Sequence, residues 1–224
     1  MTTSKKAAPN TRRIVSLAIG AAIALGALVI LLMSWRTIPP GYVGIEFNKA
    51  TNSVTTGALE PGWTLINPFT SAIQQYPITI QTYTMVQSGD EGSTGTDDSI
   101  KIQSKEAQQL NLDVSVQFRV DQTRAADLYS AWGGQDISVI RDQVVRQQTR
   151  SALANLAGSY GWEEISGEQR SELAAKVSEQ LKFEFDRRFL ILEGFVIREV
   201  HLLSLIHISE PTRLRRISYA VFCL

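Results

Sequence analysis

Acid–base or nucleophilic chemistry in this chain would have to pass through very few residues. His201 is the only imidazole in residues 1–202, and Cys223 is the only thiol among all 224 residues. A nucleophile–base–acid set needs a hydroxyl or thiol, a His and a carboxylate brought together. His201 stands beside Glu199 in a strand-like stretch, where a structural role is expected. No G-x-S-x-G elbow, Walker phosphate loop or dinucleotide glycine fingerprint occurs. Asp90, Glu91, Asp97 and Asp98 crowd one loop, but their spacing fails the calcium-loop pattern. They are expected to form a solvated acidic loop. Glu163 and Glu164 are adjacent, and neighbouring side chains point apart. One Cys excludes an intramolecular disulfide framework and a Cys-built zinc site. No catalytic residue, metal site or cofactor is expected, and the chain is not expected to be an enzyme.

The chemistry that remains is interfacial. Hydrophobic residues make up 44% of the chain, an ordinary globular share that argues against wholesale disorder. Residues 14–34 carry no charge, and as a helix they would span about 31 Å, the thickness of a bilayer's hydrocarbon core. The run is longer than the ~7–15 apolar residues of a signal peptide. It ends in Leu31, Leu32 and Met33 rather than a small-residue cleavage site. An uncleaved anchor over 14–35 is therefore expected, with Trp35 at the interface where amphipathic rings settle. The basic arm 1–13 holds Lys5, Lys6, Arg12 and Arg13 and no acid. These four set the topology and are candidates for anionic headgroups. The positive-inside rule places the N-terminus in the cytoplasm and the main domain outside it, in the periplasm if the cell is Gram-negative. The net charge of the whole chain is zero, and residues 14–202 hold more acids than bases. An acidic body is a poor match for phosphate backbones, so no nucleic-acid partner is expected.

Beyond the anchor, Pro39 and Pro40 stop the helix. Residues 42–47 read as a short strand. The stretch Leu59, Glu60, Pro61, Gly62, Trp63, Thr64, Leu65, Ile66, Asn67, Pro68, Phe69 is a punctuated hairpin loaded with large apolar groups. Trp63, Ile66 and Phe69 are candidates for contact with the leaflet interface. Core packing is the alternative for these residues, and it is the expected place of Leu65. Residues 72–85 read as one further strand. Residues 110–120 alternate strictly between apolar and polar, which predicts a strand with one buried face. The period then turns helical. A short helix is expected over 123–130, and a second begins at Ile137 behind Asp136 as cap. Ser166 and Gln169 form the capping-box pattern of a third, with Leu173, Val177, Leu181, Phe185 and Phe189 along one face. Residues 190–202 return to strand character, with Val196, Val200 and Leu202 on one side. Strands, then helices, then a strand predict an α+β fold, a mostly antiparallel sheet with packed helices.

With these residues in hand, the body resembles the SPFH family of stomatins, prohibitins, flotillins and Hfl-type proteins, and is most similar to the prohibitin-like bacterial branch. The resemblance covers residues 38–202. It rests on one N-terminal anchor, then Pro39-Pro40-Gly41-Tyr42-Val43-Gly44 entering a strand, then Pro61-Gly62-Trp63 and Asn67-Pro68-Phe69. Tyr76-Pro77, Gln81-Thr82-Tyr83-Thr84, the strand 113–120, Leu128-Tyr129 and the helix 140–156 follow in order. It implies a single transmembrane helix followed by a two-part SPFH domain, taken here as a strand-rich first subdomain over 36–120 and a second over 121–202. It also implies assembly into membrane-bound rings or cages, homo- or hetero-oligomers with SPFH paralogues, and in Hfl-type relatives the enclosure of an FtsH-type membrane AAA+ protease. The expected function is thus a scaffold subunit that organises a membrane microdomain and confines or regulates a membrane protease. A monomeric tethered module binding a lipid or other ligand is the alternative. Arg141, Asp142, Arg146 and Arg150 are candidate oligomer contacts, with solvated helix faces as the plainer reading of each. Residues 203–224 break the pattern. Their Ser/Arg-dotted text resembles translated adaptor read-through, so a non-native tail is expected there in place of the family's coiled coil.

Overall fold

A computed structural model of the chain describes residues 11–55, 57–88, 90–93 and 95–202. Lys5, Lys6 and the segment 203–224 lie outside the described residues. Two compact units divide between Tyr76 and Pro77.

In the first unit, α1 (Thr11–Ser34) takes up the uncharged run. Leu17–Ser34 has a mean hydropathy of 2.6 and is almost wholly exposed, so this helix is long and apolar enough to cross a membrane. It ends one residue earlier than expected, because Trp35 already belongs to β1 (Trp35–Ile38). β1 pairs antiparallel with β4 (Gly62–Leu65) in a two-stranded ribbon. β2 (Tyr42–Asn48) lies between β3 (Ser53–Val54) and β5 (Ser71–Pro77). The turn from β1 to β2 explains the Pro-Pro-Gly-Tyr text. Tyr42 N–H donates to the Pro39 carbonyl at 3.3 Å, and Gly41 has φ 84°. That is the form of a type II turn with Pro at its second position and Gly where φ must be positive. Gly44 serves close approach, since a Cβ there would meet Ile38 Cδ1 at 2.5 Å. Ile38, Val43, Ile45, Ile66 and Tyr76 are buried.

In the second unit β8 (Gln109–Val120) is the spine. β6 (Gln81–Met85) and β7 (Ile100–Gln103) pair along one edge of it and β9 (Leu190–Leu202) along the other, all antiparallel. After Val120 come α2 (Ala125–Trp132) and then α3 (Ile137–Ile140), a π-helical turn Arg141–Val145 and α4 (Arg146–Ala157) in unbroken succession. α5 (Trp162–Ser166) and α6 (Arg170–Asp186) lead into β9. α4 packs on α6 and β7, and α6 packs on β9. Leu153, Leu173, Val177, Leu181 and Phe185 are fully buried on these helices, as are Leu110, Leu112, Val114 and Val116 on β8. The fold is α+β, as the sequence predicts.

Several boundaries differ. The expected strand over 72–85 is two, broken after Pro77, and its halves belong to different units. The division falls at 76/77 rather than 120/121 because β8 pairs with β9, which ties residues 81–120 to the helical half. Ser166 ends α5 instead of capping the third helix, and its hydroxyl donates to the Trp162 carbonyl at 2.9 Å. The nearby cap contact is at α5, where Gly161 N–H donates to the Glu164 carboxylate at 2.8 Å. Phe189 lies beyond α6 with φ 64°. Register shifts between β8 and β9 leave Val196 exposed, while Phe195 and Ile197 are buried.

Candidate functional site

The first unit presents an apolar face immediately beyond α1. In the β1–β4 ribbon, Trp35 lies opposite Leu65 and Thr37 opposite Trp63. Strand residues two apart share a face, so Trp35, Trp63 and Leu65 stand on one side while Ile38 is buried. The Trp35 and Trp63 rings meet edge to face with centroids 5.2 Å apart, a favourable aromatic geometry. Trp63 is 77% exposed, Leu65 70% and Trp35 49%. Phe69, also 70% exposed, is presented by an Asx turn: its N–H donates to Asn67 Oδ1 at 3.1 Å and Ser71 N–H to the Asn67 carbonyl at 2.9 Å. The ribbon is tied to the helix end. Ile66 N–H donates to the Ser34 carbonyl at 3.0 Å, and the Ser34 hydroxyl donates back to the Ile66 carbonyl.

The expected membrane residues are therefore reordered. Trp35, Trp63 and Phe69 are exposed, whereas Ile66 is only 7% exposed and joins the core, and Leu65 takes the outer place. The reason is strand alternation: Leu65 shares the face of Trp63, and Ile66, bonded to Ser34, turns inward. Lys5 and Lys6 lie outside the described residues. Arg12 and Arg13 fall within the span of α1.

The candidate oligomer contacts on the second unit are partly engaged within the chain. Asp98, expected in a solvated loop, is 2% exposed. It accepts the Tyr83 hydroxyl at 2.8 Å and pairs with the Arg146 guanidinium. Burial pushes the Tyr83 hydroxyl well above its ordinary pKa, and its bond to Asp98 adds to that, so the phenol stays neutral. Arg141 pairs with Asp142 at 2.9 Å and lies 5.0 Å above the Tyr83 ring. Arg146 is thus held inward, Asp142 is exposed, and Arg150 is exposed with no ion pair among the described residues. The sequence reading did not single out Phe183, which is 64% exposed on this unit.

A second grouping was invisible in the sequence because its members come from two strands 86 residues apart. Asp113 on β8 lies opposite Glu199 on β9, and Asn111 opposite His201. His201 Nε2 is 3.1 Å from Asp113 Oδ2 and 3.7 Å from Glu199 Oε2. Asp113 is 6% exposed, and its other oxygen accepts the Gln87 N–H at 3.0 Å. No hydroxyl or thiol nucleophile is bonded to His201 among the described residues.

Compared with known families, residues 36–206 match the SPFH domain / Band 7 family. No curated protein matches the chain.

Proposed function

The chain belongs to the SPFH domain / Band 7 family, and from that premise we propose that it is a membrane-anchored scaffold subunit. It oligomerises into a ring or cage, bounds a lipid patch, and confines or regulates a membrane protease of the FtsH AAA+ type. The supporting observation is the exposed face of Trp35, Trp63 and Leu65, with Phe69 exposed nearby in sequence, continuing directly from an apolar helix of membrane-spanning length. A helix alone leaves the attached domain free to swivel. A second, interfacial contact orients it, since Trp and Phe side chains lower their free energy at the headgroup boundary. Oriented subunits confined to two dimensions meet at high effective concentration, and ring closure satisfies every lateral interface. The basic arm of Lys5, Lys6, Arg12 and Arg13 supports a cytoplasmic N-terminus with the domain on the opposite side. The partner protease and any paralogous subunits are those the family resemblance implies.

The mass of the native complex after gentle detergent extraction tests the reading. A particle on the order of a megadalton, with a membrane protease co-isolated, is the expected outcome. A monomer would replace the scaffold with a tethered lipid- or ligand-binding module.

A further inference from the structure

We infer that Asp113, Glu199 and His201 form a binding site for a divalent first-row transition ion, with zinc the best match. The inference is independent of the scaffold reading. The three donor atoms lie within 4.8 Å of one another. Two of their separations, 3.1 and 3.7 Å, are close to the roughly 3–3.4 Å that donors must keep around an ion bonded at 2.0–2.1 Å. The remaining adjustment falls to Glu199, whose side chain is 72% exposed and free to swing.

The positions are built rather than accidental. Asp113 and Asn111 are two apart on β8, Glu199 and His201 two apart on β9, and the register sets the pairs face to face. Asp113 is anchored by the Gln87 N–H through Oδ1, which leaves Oδ2 as the ligand. Beside the pair, Asn111 Oδ1 is buried with no hydrogen-bond partner among the described residues. Its residue lies directly across from His201 in the β8–β9 register. Arg198 also lies beside the cluster, where its charge is matched by a third carboxylate, Glu91, at 2.9 Å. The two carboxylates then balance a 2+ ion. A cavity of about 270 Å³ opens beside the cluster, lined also by Val86, Ser88, Glu91 and Arg198. It has room for water in the remaining coordination positions. The imidazole nitrogen selects zinc and its neighbours over magnesium and calcium, which prefer all-oxygen shells.

Zinc titration of the full-length chain in detergent tests this, by calorimetry and by the visible bands of substituted cobalt. The background carries H207A and C223S, because the tail's imidazole and thiol are themselves zinc donors. One ion per chain is expected, undisturbed by millimolar magnesium. E199Q and H201Q are each expected to weaken it by at least ~10-fold. E199Q replaces an exposed side chain, and circular dichroism confirms that the fold is kept. No retained zinc, or zinc affinity indifferent to both substitutions, overturns the inference. The readout does not involve assembly mass, so it fails or succeeds apart from the scaffold proposal.

Discussion

Trp63 holds 77% of its surface in water, and a bilayer interface would relieve that exposure. In proteoliposomes of single-tryptophan variants, Trp63 is expected to be quenched by brominated lipid far more than Trp162, which the second unit carries. Equal quenching of the two would remove the interfacial contact. Each side chain withdrawn fully from water contributes roughly 1.5–3 kcal/mol, so W63A combined with F69A is expected to loosen the domain on the bilayer without unfolding it. Asp98 is the opposite case, a carboxylate buried by the fold and held by Arg146. Removing the partner strands a charge, so R146M is expected to cost about 3 kcal/mol in denaturant unfolding. The D98N/R146M pair should recover part of that, because the charge goes with it. Additive losses would show that the pair is not coupled. Trp63 and Asp98 could be seen as aromatic and acidic in the sequence, but not as outside and inside.

The Asp136 cap was legible because its chemistry is local, whereas the cap expected of Ser166 did not form. The Pro39–Tyr42 turn needs φ near 84° at Gly41, so G41A is expected to cost about 1 kcal/mol of stability, read by thermal unfolding. Asp136 caps α3 as its position predicts, accepting the Ser138 hydroxyl at 2.7 Å and the Ser138 N–H at 3.3 Å. The Ser138 hydroxyl first, and the backbone N–H groups after it, outweigh burial and hold its carboxyl below the usual range. A carboxyl depressed in the folded state stabilises above its unfolded value near 4, and that contribution is lost as pH falls through the folded value. D136N is expected to flatten the loss of stability below about pH 4 while still capping. D136A is expected to cost about 1 kcal/mol at neutral pH. A pH profile unchanged by D136N would refute the assignment. The π-helical turn at Arg141–Val145 was not legible. Buried Ile140, Val144, Val145, Ala152 and Leu153 run through it at helical spacing, and an extra residue per turn leaves no mark on residue type.

At the scale of the molecule, a topology reporter fused after Leu202 is expected to be active outside the cytoplasm, and cytoplasmic activity would invert the placement drawn from the basic arm. By itself the sequence determined the apolar helix, the α+β class, the long alternating strand at 110–120 and the family, because periodicity and turn chemistry are written in neighbouring residues. The tertiary structure decided what depends on residues distant in the chain. β8 pairs with β9 across some 80 residues, and that pairing moved the unit boundary to Tyr76/Pro77 and gathered Asp113, Glu199 and His201. One step of strand alternation buried Ile66 and exposed Leu65. Burial and pairing are properties of a surface closed by distant segments, and no local pattern states which segments will close it.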